Sequence, residues 1–296
     1  MKRILAVLLV LSLLPFFLFA QEPPKKFAEY GELLITQLSS APFPHPGRAA
    51  GHTYGKQFFP AEKHYSDSSV AFFIPRGFRQ TEAVDLVVHL HGWWNNIDTT
   101  LSKYKLPQQL FESGKNVILV VPEGPRNAPD SFAGKLEDAG GLKRFVTDVV
   151  DFLFTHGKIK TRSVGKVILS GHSGAYHGIS YALMRGGMAD GVSEVYIFDA
   201  LYGQTEKYAH WIDRYPGKMI TIYTDSGGTK EETELLMEDL DGWKIPYRAA
   251  EERAIVPDDL RDNRLVFIHT DLEHDMVVSA RMEFREFLKA SGLSNR

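Results

Sequence analysis

The sequence predicts an α/β architecture, a mostly parallel, doubly wound sheet with helices on both faces. Three observations carry this. Seven apolar runs of strand length recur along the chain, helical patterns lie between them, and the runs are continuous in Val, Ile, Leu and Phe. Continuous rather than alternating hydrophobicity marks strands covered on both faces, and the strand-helix rhythm is that of βαβ units.

In order, the runs occupy 70–74, 85–90, 116–121, 166–170, 194–198, 219–223 and 265–269. Between them, Leu142, Phe145, Val146, Val149, Val150 and Leu153 recur at helical spacing and predict a helix over 141–155 with one apolar stripe. Further helices are expected over 175–184, 230–240 and 279–290. No repeat of solenoid period is present. Open sheets of this kind bind ligands beyond the carboxyl ends of their strands, so chemistry is sought in the residues after each run.

The ends of the chain read differently. Lys2 and Arg3 precede an apolar stretch over 4–19 that closes on Leu18-Phe19-Ala20, the pattern of a signal peptide over 1–20 with cleavage expected after Ala20. The stretch also approaches spanning length, so an uncleaved anchor is the alternative, and a membrane is a partner only in that case. Residues 21–50, with Pro23-Pro24-Lys25-Lys26 and Ala41-Pro42-Phe43-Pro44-His45-Pro46, read as an arm or linker. That arm admits a short helix over 30–38, and the main domain is expected over 51–296.

Composition narrows the function classes. With 34 basic and 37 acidic residues the net charge is −3, which offers no electrostatic case for nucleic acid and no polybasic patch for anionic lipid. The absence of cysteine excludes disulfides, thiolate metal sites and a cysteine nucleophile. Seven runs and 44% hydrophobic residues fit one large domain.

One pattern stands out. The run 166–170 leads into Gly171-His172-Ser173-Gly174-Ala175 and then a helix-compatible stretch. A G-x-S-x-G pattern between strand and helix is a nucleophile elbow, a strained turn whose flanking positions must be small. Gly171 and Ala175 meet that need, although Ala replaces the usual second Gly. The run 85–90 leads into His91-Gly92-Trp93, where a sharp turn aims main-chain N–H groups at a developing oxyanion, here those of Trp93 and Gly174. The last run leads to His274, the expected general base, while His269 lies inside the strand pattern. Asp199 and Asp225 both follow strands, and either can orient the imidazole; Asp199 is favoured. The order Ser, acid, His matches one serine-hydrolase architecture and differs from others.

These segments together, Val-Ala-Phe-Phe-Ile-Pro-Arg-Gly-Phe at 70–78, Leu-Val-Val-His-Leu-His-Gly at 86–92, Gly-His-Ser-Gly-Ala and His274, resemble the α/β-hydrolase superfamily. They are most similar to secreted esterases of the esterase-D and feruloyl-esterase type, over about residues 65–290. The resemblance implies an exported serine hydrolase of carboxylic esters working through an acyl-enzyme and needing no cofactor. Trp93-Trp94 and Ala175 depart from the pattern.

Only about twenty residues separate the runs 194–198 and 219–223, so a lid is minimal or absent. An open cleft with Trp93, Trp94, Tyr176, Tyr202, Tyr208 and Trp211 suits a small-molecule, glycan or cell-wall ester, with Trp94, His172, Tyr176 and Tyr202 as substrate contacts. Several of these rings are expected to pack the core instead. Glu123 and Arg126, after the run 116–121, border the site or pair with each other. Three other readings remain: an amidase or peptidase using the same triad on cell-wall components, a non-catalytic binding module, and a metal site at His89, His91, His172 and His177, against which no carboxylate-histidine signature is present.

Overall fold

The computed structural model describes residues 25–296, so the apolar segment 1–20 and the start of the arm lie outside it. In chain order the strands begin with β1 (Gly31–Gln37), then the hairpin β2 (His52–Tyr54) and β3 (Gln57–Phe59), β4 (Ser69–Pro75), β5 (Val84–Leu90) and β6 (Ile118–Pro122). They continue as β7 (Val164–His172), β8 (Val192–Phe198), β9 (Lys218–Thr224), β10 (Arg248–Glu251) and β11 (Leu265–Thr270). The helices are α1 (Ala61–His64), α2 (Ile97–Lys103), α3 (Leu106–Ser113), α4 (Gly141–Thr155) and α5 (Tyr176–Arg185). After them come α6 (Thr205–Arg214), α7 (Lys230–Gly242), α8 (Pro257–Asp262) and α9 (Glu283–Ala290).

Nine strands form one sheet in the order β1-β4-β6-β5-β7-β8-β9-β11-β10. β1 and β4 run antiparallel to their neighbours, and from β6 to β10 every pairing is parallel. All seven apolar runs are strands. Successive side chains on a strand point to opposite faces, and both faces here are apolar. Leu86, Val88, Val195 and Ile197 pack towards α4, α5, α6 and α7, whereas Val87, Tyr196 and Phe198 pack towards α3 and α9. Helix α4 has the bounds its stripe implies, and that stripe is buried.

Two strands carry no strong sequence signal because they are edges. β10 reads Arg-Ala-Ala-Glu, and β1 mixes Glu32, Thr36 and Gln37 with an exposed Ile35. Polar side chains on edge strands discourage pairing with other chains, and they also erase the apolar run that betrays a strand.

The arm therefore needs correction. Residues 31–37 are a sheet strand and not a helix or linker, so the domain starts well before residue 51. The rest of the arm is fastened beside the site. Arg48 makes a two-pronged ion pair to buried Asp130 at 2.6 and 2.9 Å, and its guanidinium lies 4.7 Å from the Phe132 ring centre. Phe43, Phe59, Tyr65 and Ala128 form a small separate core beneath it. This packing holds the loop 124–133 against the end of β5. Among the described residues, no helix is long and apolar enough to cross a membrane.

Candidate active site

The parallel strands end along one edge, and the register brings their following residues together. Leu90 pairs with Gly171, and His172 with Phe198, so the ends of β5, β7 and β8 lie side by side.

Strand β7 stays extended through His172, and Ser173 then takes φ +56°, the left-handed region that costs a residue with a side chain about 1 kcal/mol or more. One tight turn later α5 begins. A Cβ on Gly171 would sit 2.5 Å from that of Ala175 and 2.8 Å from Ile179 Cδ1. Gly171 thus leaves the room that Ala175 uses, which explains why Ala is accepted in place of the second Gly. The start of α5 behind Ser173 favours negative charge there.

The turn after β5 packs directly on this elbow. A Cβ on Gly92 would lie 2.7 Å from Ser173 Cβ and 2.8 Å from the His172 carbonyl oxygen, so only glycine fits. The main-chain nitrogens of Trp93, which follows Gly92, and of Gly174, 3.2 Å from where that Cβ would stand, flank this contact. His91 orients the first of them. Its Nδ1 lies 2.8 Å from the Gly92 carbonyl, which only accepts, so Nδ1 carries a proton and donates, while the Gly124 nitrogen lies 2.9 Å from Nε2. That carbonyl belongs to the same peptide unit as the Trp93 N–H. Glu123 lies beside the imidazole at 3.1 Å and Trp93 donates its indole N–H to Ser131 at 2.8 Å.

His274 stands on a short turn after β11, and its Nδ1–H donates to Asp199 at 2.7 Å. Asp199, at φ +43°, is fully buried and also accepts from the Thr224 N–H at 3.1 Å, the Thr224 hydroxyl at 2.8 Å and the Thr229 hydroxyl. Burial alone would push its carboxyl up, but the bonds from His274, Thr229 and Thr224 outweigh it and hold the group below the usual carboxylate range. Gly227 is required beside it, because a Cβ there would fall 1.9 Å from the carboxylate. Asp225 is elsewhere: it is exposed and pairs with Lys230 at 2.6 Å and His269 at 3.2 Å. Of the two aspartates, only Asp199 meets His274.

Other expected contacts are redistributed. His172 is buried with both nitrogens engaged, by the Tyr104 hydroxyl and the His274 carbonyl, and cannot touch a substrate. Tyr208 and Trp211 are core residues. Glu123 is buried against His91, and Arg126 pairs with Asp67 instead. Tyr202 and Tyr176 stay at the site with ring centres 5.8 Å apart, and the Tyr202 ring centre lies 6.2 Å from that of His274. Burial, then the Asp199 charge, pushes the Tyr202 phenol up to about 12. Trp94 is 53% exposed although its φ of +61° is strained, and its ring rests on Phe59 at 5.5 Å. Exposed Tyr54, on the hairpin, meets Trp93 at 5.0 Å. Tyr104, Thr224 and Thr229 gave no sequence signal, since each lies outside any motif.

The histidines weighed as metal ligands serve separate partners: His89 bonds Ser170 at 2.9 Å and His177 bonds Glu137 at 2.8 Å. His172, His274 and Asp275 do approach within 4.8 Å of one another, but a metal there would have to displace the partners of His172.

Similar solved structures place this architecture. One is FphF, a fluorophosphonate-binding serine hydrolase of Staphylococcus aureus in substrate-bound form, at TM-score 0.53 and 11% identity, covering 88% of this chain and 99% of that one. The chain has the α/β-hydrolase fold. A ferulic acid esterase matches at TM-score 0.52 and 13% identity over 75% of this chain and 91% of its own. A structure named FAE matches at 0.55 and 11% over 94% and 96%. No family model matches this chain, and neither does any curated protein.

Proposed function

We propose that this α/β-hydrolase chain is a serine hydrolase of carboxylic esters. The observation that carries the reading is the 2.7 Å bond from His274 to a buried Asp199, with the His274 carbonyl 2.9 Å from the residue that precedes a serine in a left-handed elbow. Ser173 Oγ attacks the ester carbon as its proton passes to His274 Nε2, and the carbonyl oxygen becomes an oxyanion facing the Trp93 and Gly174 N–H groups. Collapse breaks the bond to the leaving alkoxide, which takes the proton from His274. Water, deprotonated by the same imidazole, then attacks the acyl-enzyme; the Ser173–acyl bond breaks, Ser173 recovers its proton and the acid departs. Asp199 keeps the proton on Nδ1 and stabilises the imidazolium. A missing oxyanion donor typically costs about 3 kcal/mol.

The mouth is open. Only α6 lies between β8 and β9, and the cleft of about 440 Å³ between α8 and α9 contains neither Ser173 nor His274. Exposed Trp94 and Tyr54 with half-buried Tyr176 and Tyr202 offer flat faces, which favours small aryl or glycan esters over long buried acyl chains. The apolar segment 4–19 supports export.

A fluorophosphonate probe is expected to label the protein and to spare Ser173→Ala. Equal labelling of both, or none of either, would refute the assignment. Paired p-nitrophenyl acetate and the matching anilide measure the preference for ester over amide.

A further inference from the structure

The residue before the nucleophile is a histidine buried without contact to solvent, yet both ring nitrogens are used. His172 Nε2 lies 2.9 Å from the carbonyl oxygen of His274, across 102 positions of sequence, and Nδ1 lies 2.9 Å from the Tyr104 hydroxyl. A carbonyl only accepts, so Nε2 carries the proton. Burial, with the neighbouring His274, pushes the imidazole down to about 4, so the ring is neutral and Nδ1 is bare. Tyr104 must therefore be the donor to Nδ1, and its hydroxyl admits one tautomer, the one that binds the His274 carbonyl. The two imidazoles also lie face towards face, with centres 4.5 Å apart and planes 36° apart.

The segment that receives this bond is anchored on either side of His274: Asp271 pairs with Arg281 at 2.7 Å, Val277 and Val278 are buried in the core, and Gln109 donates to the Val278 carbonyl at 2.9 Å. From the end of β11 at Thr270 to the start of α9 at Glu283 it contains one short turn, at His274–Met276, with no side-chain cap. Asp275 and Met276 beside His274 are exposed. The Asp199 bond fixes one edge of the His274 ring, and the His172 bond ties the His274 main chain to the strand that leads into Ser173. Resting on the proposed serine hydrolase reading, we propose that His172 is a positioning residue: its hydrogen bond to the His274 carbonyl, set by Tyr104, holds the general base in register with Ser173. Nucleophile and base come from distant segments, and this contact makes their spacing a property of one rigid elbow. Misplacing a reacting group by about 1 Å costs on the order of a hundredfold in rate.

The experiment compares wild type, H172L, H172Q and Y104F for p-nitrophenyl acetate hydrolysis and for the rate of fluorophosphonate labelling. H172L, which fills the space without a donor, is expected to lose about 30- to 100-fold in kcat with KM changed by less than about twofold. H172Q, whose side-chain amide N–H reaches about where Nε2 stands, is expected to recover to within about fivefold of wild type. Y104F is expected to fall about three- to tenfold, since Nδ1 loses the donor that sets the tautomer. A folded H172L with wild-type kcat overturns the proposal, as does H172Q impaired as deeply as H172L. Should H172L not fold, Y104F decides: it keeps the ring, and an unchanged kcat overturns the proposal. Wild type that neither hydrolyses nor labels refutes the serine hydrolase reading itself, so the two failures are distinguishable.

Discussion

Replacing Asp199 by Asn tests the centre of the site, because the structure fixes what the amide would do. The carboxylate accepts from His274 Nδ1–H at 2.7 Å while Thr224 and Thr229 saturate its other lone pairs. An amide presents a donor to at least one of these groups. If its NH2 turns to His274, the ring must bear its proton on Nε2 and can no longer accept from Ser173. The charge term can be sized: with charge centres about 4 Å apart and an effective permittivity of about 20, the carboxylate stabilises the transient imidazolium by about 4 kcal/mol. That alone is roughly a thousandfold in rate, and the wrong tautomer extends the loss to on the order of 10⁴ in kcat. Pre-steady-state release of p-nitrophenol measures it, with Asp225→Asn as the control. Asp225 is exposed and bonded to Lys230 and His269, so its amide variant is expected within about twofold of wild type. An Asp199→Asn protein within tenfold of wild type, or an Asp225→Asn protein as damaged as it, would refute the reasoning.

Gly92→Ala drives a methyl to 2.7 Å from Ser173 Cβ and 2.8 Å from the His172 carbonyl. The Trp93 N–H is then pushed off the oxyanion, and kcat/KM is expected to fall about a hundredfold or more with folding retained; activity above a third of wild type in ester assays would contradict the packing. Stability is expected to fall on acidification from pH 6.5 to 4.5. Burial pushes His89 down to about 3 and His172 to about 4, so the unfolded chain, with histidines near 6.5, binds two protons that the folded chain refuses. Their stabilisation is full above 6.5 and is lost as pH falls towards those folded values. Buried Glu283, pushed up to about 7, acts in the opposite direction across this window. The net of about one proton over two pH units is a loss of about 3 kcal/mol. Urea unfolding at the two pH values measures it, and equal or greater stability at 4.5 would exclude the account.

Much of this protein was legible in the chain because period and volume are local properties. Continuous apolar runs can only be strands covered twice, the 142–153 stripe can only face a sheet, and Gly-His-Ser-Gly-Ala announces a turn too tight for larger residues. The expectation of an arm or linker over 21–50, with a helix over 30–38, failed at 31–37 for the same reason in reverse: β1 is a polar edge, and Arg48 finds Asp130 across 82 positions. What tertiary structure alone decided is which of several equivalent groups meet. Asp199 and Asp225 both follow strands, yet only the first faces His274, since Thr224, Thr229 and Gly227 close a cage about it. His172 looked like a substrate contact by its place beside Ser173, and became a buried tether because a turn 102 residues away carries its carbonyl to Nε2. Hydrophobic patterning is written residue by residue, whereas the partner of a buried polar group depends on how distant strands end in space.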